Sequence, residues 1–400
     1  MQHYSLKQQR SNFILSLRND AILNAYPKDQ DIFLDQVAAG KKAFKKIWGN
    51  LTFRLLFNII LPFVILFVDF SLTFKYIYKF LIHNKKVLKS NRFFIGHDRR
   101  LYTLSEKFGL QKNGDVWIAF LNEPFSISDD KETAEIWDFV TLDEILKSYI
   151  QSVIIHVITP FSLGYKYLFL SYKSYEWFLI DFALRHIPTD SELVYSYICD
   201  RNAILIDKLP HPNKVLIQHG TMHFGNKSRE IPYLEWHPEK GFYIWNSLYK
   251  SSPSKVYCFT ETDKWALSNS VILNEPIYIC TGYGFKTAFK PSKKAVLIVS
   301  NYYKFADREE YLLQQLQSLD IEIFLKNHPS HSNTLYDEMK SKYRFNFIKG
   351  MDTNLPDVDI LISYDSTLAY EYASIGTKVL YYGHFDMSEI KNIVKNCLGC

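Results

Sequence analysis

Cysteine, glycine and proline are all scarce in this chain, at 5, 15 and 14 of 400 residues. So little glycine and proline excludes collagen-like and low-complexity architectures, and no fixed-period self-similarity marks a repeat array. The cysteines (Cys199, Cys258, Cys280, Cys397, Cys400) are odd in number and widely scattered, which excludes a disulfide scaffold. The stretch Met1 to Phe13 lacks the basic-then-apolar pattern of a secretory leader, so a reducing cytoplasm is the expected compartment. Cys397 and Cys400 form a Cys-x-x-Cys, but a zinc site needs two more ligands and a redox motif needs a strand-to-helix context, so they read as plain thiols.

What the chain does have is a large apolar fraction, 47% against 22% charged, enough for a full core. Its length favours two domains over one. The net charge of +5 is unevenly placed. Residues 41–100 hold thirteen Lys and Arg against Asp69 and Asp98, a surplus of +11 that leaves −6 on the remainder. Within that basic stretch, Leu55 to Val68 carries no charge, and the apolar character continues past Asp69 to Phe74. Three placements fit such a segment: a spanning helix, interrupted by Pro62 and Asp69; a buried core helix; or an amphipathic segment lying on an anionic membrane surface. The flanking lysines favour the last, because burial alone gives no reason for basic rims. A nucleic-acid role is not expected, since no zinc finger, helix-turn-helix spacing or aromatic ribonucleoprotein motif accompanies the charge.

Along the rest of the chain helical and strand patterns alternate. Asp115 to Leu121 reads as a strand, Ser128 to about Ile158 as helical with Thr141 and Glu144 at capping-box spacing, and Tyr165 to His186 as a long aromatic helix. Glu192 to Ile198 and Lys214 to Gln218 read as strands. After about Phe285 the alternation is cleaner, with strands at 295–299, 321–325, 345–348, 358–362 and 378–382 and helices at 307–319, 333–342, 367–375 and 388–394. Such alternation predicts a parallel sheet with helices on both faces, and in such sheets ligands sit beyond the carboxyl ends of the strands.

Three groups fall at such ends. Lys326-Asn327-His328-Pro329 follows a strand, and its Lys and His are suited to present cationic donors to a diphosphate. His-Pro also occurs at 211–212 and 237–238, so a plain surface turn fits the dipeptide as well. Ser363-Tyr364-Asp365-Ser366-Thr367 joins a strand to a helix, where hydroxyls and free N–H groups make an anion site or simply cap the helix. One turn on, Glu371 is suited to take the two hydroxyls of a ribose, or is merely solvated. Asp357-Val358-Asp359 has an Asp-x-Asp spacing, but it opens a strand rather than following one, so no metal is expected there. Gln218-His219-Gly220-Thr221 follows a strand of the first half, and Gln218, Gly220 and Thr221 are expected to line the cleft beside His219. A His held at a strand end suits a general base, and a hydrogen-bonded core His is the plainer reading.

Taken in order, the segments Val215 to Thr221, Leu325 to Pro329 and Val358 to Thr367 resemble a superfamily of GT-B enzymes. It includes the CDP-glycerol glycerophosphotransferases of teichoic acid synthesis, the capsule Kdo transferases and the bacterial sialyl- and polysialyltransferases with a His-Pro motif. Glu371 to Val379 looks like the ribose-binding helix of many GT-B enzymes. The resemblance spans Lys214 to Tyr382 and implies roles residue by residue. His328 would contact the donor phosphate, Ser366 and Thr367 would hold the same group, Glu371 would take the ribose and His219 would be the base. The chain departs from the family where Tyr364-Asp365-Ser366-Thr367 replaces the usual Asp-Tyr-Ser-Ser and where Gln218 replaces a frequent Trp. It also lacks the acidic pair before Gly that serves several sialyltransferases as base, which leaves Asp200 as a rival base.

The expectation that follows is a GT-B fold, two Rossmann-like domains facing a cleft, with an acceptor-side domain at 1–285 containing the basic apolar segment 41–100, and a donor-binding domain at 286–400. The resemblance implies a transferase of bacterial surface polysaccharide, of capsule, lipopolysaccharide or lipooligosaccharide. The expected donor is a nucleotide-sugar, a CMP-sugar such as sialic acid or Kdo, and the acceptor a glycan or lipid-linked glycan at the inner face of the cytoplasmic membrane. No metal and no other cofactor is expected, because fixed cationic groups and a helix N-terminus can neutralise the departing phosphate. Transfer of a polyol phosphate from a CDP-polyol is the alternative enzyme, a non-catalytic membrane-associated assembly protein is the alternative from another class, and a nucleotide-sugar epimerase would leave the membrane-like segment unexplained.

Overall fold

The computed structural model describes residues 5–23, 51–96, 99–121, 131–164, 167–220, 222–224, 234–300, 306–327, 336–350, 352, 354–363, 366–382 and 384–399. Short runs of branched and aromatic residues form its strands. In chain order these are β1 (Arg92–Ile95), β2 (Val116–Ala119), β3 (Glu132–Glu135), β4 (Glu192–Tyr195), β5 (Lys214–Ile217), β6 (His223–Phe224), β7 (Leu234–His237), β8 (Phe242–Trp245), β9 (Lys255–Cys258), β10 (Ile277–Cys280), β11 (Ala295–Val299), β12 (Glu322–Lys326), β13 (Asn346–Ile348), β14 (Ile360–Ser363) and β15 (Lys378–Tyr381). Sequences such as VWIA, KVLI, AVLIV and ILIS are buried at every position, as strands covered on both faces must be.

The chain forms two compact units. The first comprises Met1–His219 and Trp245–Thr281, the second Gly220–Ile244 and Gly282–Cys400. A single break near residue 285 was expected; instead the polypeptide passes between units three times, and 220–244 belongs with the second. The first unit holds a sheet of order β10-β9-β5-β4-β1-β2-β3, every pairing parallel. Counted within the unit this is 3-2-1-4-5-6-7, the doubly wound order. The second unit holds the parallel sheet β13-β12-β11-β14-β15, which is 3-2-1-4-5 by the same count. A third, small sheet has the order β6-β8-β7, with β6 antiparallel to β8. The two Rossmann-like α/β units that the resemblance implies are therefore present.

In the second unit, Val296, Ile298, Leu325 and Ile362 pack on Leu312, Leu313 and Leu316 of the helix Ala306–Leu316. Their other face is covered through Leu297, Leu361, Ala369 and Tyr372. Asp359, one of the Asp-x-Asp pair, latches this core: its carboxylate takes the Ala295 N–H and the Lys294 ammonium, both at 2.9 Å.

Two helical expectations are corrected. The segment read as helical from Ser128 is β3, a short turn at Ile136–Asp138, and then the helix Leu142–Ser162; residues 122–130 lie outside the described residues. Thr141 caps that helix and Glu144 bonds back to the Thr141 N–H at 2.9 Å, so the capping box marks its start rather than its interior. The aromatic helix expected from Tyr165 begins at Ser174, after a 3₁₀ turn at Phe169–Lys173.

The apolar stretch is a continuous helix, Leu51–Ile82, running through Pro62. One stripe of it, Leu61, Ile65, Asp69, Thr73 and Tyr76, is buried, at the three- and four-residue spacing of a helix face. Asp69 lies at the centre of that stripe. Its Oδ2 accepts from the Ser152 hydroxyl and meets His156 Nε2 at 2.9 Å, and the other ring nitrogen of His156 meets Ser171 Oγ at 2.7 Å. The residue that looked like an interruption of the apolar run is therefore its anchor to the helix Leu142–Ser162, since a carboxylate buried among apolar residues persists only with such partners. The opposite face of the helix is exposed and apolar, with Phe63 at 69% and Phe67 at 70%. The segment is thus neither wholly buried nor wholly outward.

Candidate active site

The carboxyl ends of β4 and β5 carry the first unit's polar groups. His219 follows β5, and its Nδ1 bonds to the carbonyl oxygen of Ser196, just past β4. A ring nitrogen facing a carbonyl must carry the proton, which makes Nε2 the basic nitrogen of the neutral ring. The chain enters the second unit at the next residue, Gly220, whose missing Cβ would stand 3.8 Å from the Thr367 hydroxyl. Gln218, expected to face a cleft, is instead a strut. It is fully buried, its Nε2 donates to Asp263 at 2.8 Å, and its Oε1 accepts the Phe259 N–H at 3.3 Å.

Asp200 caps the helix Arg201–Asp207, its Oδ1 accepting from the N–H groups of Asn202 and Ala203, both at 2.9 Å. Burial pushes its carboxyl up to about 6; the amide bonds oppose that rise and the negative charge of Asp20 adds to it. Gly96, directly after β1, has φ +100, and a Cβ there would stand 2.5 Å from the Tyr197 hydroxyl. Only glycine lets Tyr197 close over the end of that central strand. The Tyr197 ring in turn stacks on Phe120 at 5.9 Å.

In the second unit the corresponding edge belongs to β11, β12 and β14. Ser363 ends β14, fully buried, with its hydroxyl 3.0 Å from that of Ser366. Ser366 caps the helix Thr367–Ser374 by accepting the Ala369 N–H at 3.3 Å. Ser363, Ser366, Thr367 and Gly220 therefore form one polar corner at a helix N-terminus, where N–H groups and the helix dipole favour an anion. Glu371 is half-buried one turn on, between Tyr370, whose ring meets His223 at 4.9 Å, and Tyr372, whose hydroxyl donates to the Pro356 carbonyl at 2.6 Å.

Lys326 corrects an expectation. Its ammonium does not stand as a donor at the strand end. It donates to the carbonyls of Lys349, Gly350 and Asp352, at 3.2, 2.6 and 3.3 Å, and thereby holds the turn after β13. Desolvation lowers it to about 8. Thr221, His328 and Pro329 lie outside the described residues, as do Tyr364, Asp365 and Cys400. Cys397 is a half-buried free thiol. Among the described residues no three His, Cys, Asp or Glu side chains converge as a metal centre requires.

Comparison with known proteins adds little. No family model and no curated protein matches the chain. Similar solved structures include the UDP-forming α,α-trehalose-phosphate synthase of Burkholderia xenovorans (TM-score 0.39, 9% identity, 78% of this chain and 91% of that chain covered). They include also the wall teichoic acid polymerase TagF (0.39, 10%, 82% and 81%) and the glycosyltransferase VinC in complex with DTDP (0.35, 9%, 77% and 91%). Identity near 10% and TM-scores below 0.5 leave the chemistry of the site to its own geometry.

One group at the second unit's edge was missed. Glu309, on the helix after β11, is fully buried beside the hydroxyls of Ser300, which follows β11, and Tyr336, and these two are joined at 2.6 Å. The signal was present: Glu309 shares a helix face with Leu312, Leu313 and Leu316, so the periodicity puts a carboxyl into the core stripe. Burial pushes this carboxyl from 4.5 up to about 7, against the pull of the two hydroxyls. The folded protein then keeps a proton that the unfolded chain releases, so stability falls as pH rises from 4.5 through about 7. Relative to Glu309→Gln, the wild-type protein is expected to lose on the order of 3 kcal/mol between about pH 5 and about pH 8, read from urea midpoints of both proteins. Identical pH dependence of the two would contradict this.

Proposed function

We propose that this chain is a nucleotide-sugar-dependent glycosyltransferase of GT-B type, acting in the synthesis of a bacterial surface polysaccharide. The observation that carries the reading is the polar corner of Ser363, Ser366 and Thr367 at a helix N-terminus, in a parallel unit that follows a first parallel unit whose strand ends hold His219 and Asp200. The second unit supplies the donor's contacts: the helix N-terminus and the Ser366 and Thr367 hydroxyls for the phosphate, with His328, and Glu371 for the ribose. The first supplies two groups with the chemistry of a base, His219 and Asp200. An acceptor hydroxyl gives up its proton, its oxygen bonds to the anomeric carbon, and the bond from that carbon to the nucleotide phosphate breaks. The fixed N–H dipoles and His328 take the developing charge.

The resemblance of the ordered motifs favours a CMP-sugar, such as one carrying sialic acid or Kdo, as donor and a glycan or lipid-linked glycan as acceptor. In a thermal-shift titration, CMP or CDP is expected to raise the melting temperature more than UDP or GDP, and His328→Ala to remove most of the rise, because a ligand that binds only the folded state stabilises it by mass action. No shift with any nucleotide would count against the transferase. CDP-polyol phosphotransfer is the second reading, favoured by the same His-Gly and His-Pro order, and a donor assay separates the two.

The proposed location is peripheral, at the inner face of the cytoplasmic membrane. The helix Leu51–Ile82 supports it: one side is held by Asp69 and His156, and only the other is available to lipid, which favours lying in the membrane plane over spanning. The neighbouring helix Leu142–Ser162 adds a second apolar stripe, Leu142, Leu146, Ile150, Val157 and Phe161, the last 89% exposed. Lys75, Lys85, Lys86 and Lys89 lie exposed near the end of the first helix, and the surplus of +11 across 41–100 complements an anionic bilayer. The protein is expected to sediment with phosphatidylglycerol-containing vesicles, poorly with pure phosphatidylcholine, and about tenfold less when Phe63→Glu and Phe67→Glu are combined. Sedimentation unchanged by those substitutions would overturn the assignment.

A further inference from the structure

Two of the chain's cysteines, Cys258 and Cys280, stand side by side in the first unit. Cys258 ends β9 and Cys280 ends β10, the edge strand of the larger sheet, and the two are direct partners in the parallel register. Partners in such a register point to the same face of the sheet, and here the Sγ atoms are 3.5 Å apart. Neighbouring strands lie about 4.8 Å apart, inside the Cα separation of roughly 4.4–6.8 Å that a disulfide takes, so a bond between these sulfurs asks for side-chain rotation rather than a shift of either strand.

The two thiols differ in access. Cys258 is fully buried, whereas Cys280 is exposed and donates to the Glu261 carboxylate at 3.2 Å. A dissolved disulfide therefore meets Cys280 first, and Cys258 only by way of Cys280. Burial raises both thiols, and Glu261 adds to the rise at Cys280, so the pair rests protonated near neutral pH. No stabilised thiolate favours the reduced form against closing.

The position of the pair in the chain gives such a bond a consequence. The Cys258 carbonyl accepts from both the N–H and the hydroxyl of Thr281, at 3.0 and 3.2 Å. Thr281 is the last residue of the first unit before the chain leaves for the second at Gly282, which turns away with φ +71, a conformation that glycine adopts without steric cost. The end of β9 is thus the anchor of that exit.

We propose that Cys258 and Cys280 are a reversible dithiol–disulfide couple, closed by a small disulfide of the glutathione type, and that closing locks the end of β10 and the exit at Thr281 onto β9. The sulfur of Cys280, as thiolate, attacks the small disulfide, forms a mixed disulfide and expels one thiolate. The sulfur of Cys258 then attacks that of Cys280, and the second thiolate leaves. Two protein thiols are oxidised, one small disulfide is reduced to two thiols, and the two protons pass to the departing sulfurs. In a reducing compartment such a bond is a transient switch rather than a scaffold. The inference does not depend on the transferase reading.

The test incubates the reduced full-length protein, without denaturant, with oxidised glutathione, blocks remaining thiols and maps the peptides. Trypsin cleaves after Lys264, so the two cysteines fall on separate peptides unless bonded. A species joining them, lighter by two hydrogen atoms than the free pair and abolished by dithiothreitol, is expected. Cys258→Ser is expected to leave a glutathione adduct on Cys280, and Cys280→Ser to leave Cys258 unmodified. Amide exchange in the segment 277–281 is expected to slow about tenfold or more on closing, because opening there requires the two strand ends to part. Free thiols after prolonged excess of oxidised glutathione, or a link that forms only in urea, would overturn the couple. A closed bond that leaves the exchange of 277–281 unchanged would overturn the locking of the exit.

Discussion

Parallel strands buried on both faces have no solvated side on which to carry polar chemistry, and every feature of these two units follows from that constraint. Within β11 and β14 the residues are Val, Ile, Leu and Ala until the last position, where β14 ends in Ser363. Polar residues follow in each case: Ser300 after β11, Ser363 and Ser366 around the end of β14, Ser196 after β4, His219 two residues beyond β5. Each is held by a backbone group or a neighbouring hydroxyl. Reactive groups accumulate at the carboxyl ends because that is where the chain leaves the sheet with its N–H groups unpaired and its side chains able to reach one another.

The same constraint turns several promising residues into struts. Gln218 joins Asp263 to the end of β9, Lys326 ties down the turn after β13, and Asp359 clamps the start of β11. Each lies one residue or less from a strand end, and each found its hydrogen-bond partners inside the protein. A buried polar group without a partner costs more than a bond gains, so proximity to an edge is no assurance of contact with a ligand. Asp69 obeys the same rule in the helical part: the charge that breaks the apolar run is what fixes that helix to its neighbour, and the fixing is what leaves one apolar face turned outward.

Much of the fold was legible in the residues. Strands of continuous branched residues such as 295–299 coincide with β11, and the helix Thr367–Ser374 falls where Ser366 and Gly376 bracket it. The region 222–285 was not legible, because β6 to β10 are short and half-covered, with Trp236 and Ile277 exposed, and their alternation is broken by turns. Nor did local pattern reveal that 220–244 leaves the first unit, since that assignment depends on contacts far apart in sequence. Of the candidate site, the Ser-Ser-Thr corner and Asp200 were visible as motifs at strand ends. The partners that define them were not. Nothing near Asp200 in sequence points to Asp20, which lies 180 residues earlier and whose charge helps to raise the Asp200 carboxyl.

The central claim is that groups fixed at these two strand edges transfer a sugar from a nucleotide. Incubating the purified protein with CMP-sialic acid, CMP-Kdo, CDP-glycerol and a UDP-sugar, in the presence of anionic vesicles and EDTA, and measuring the free nucleotide released, tests it most directly. The account expects CMP to be released from a CMP-sugar in excess of the buffer control, without divalent ions, because the helix N-terminus and His328 carry the leaving charge. Release from no donor, or release that EDTA abolishes, would contradict it.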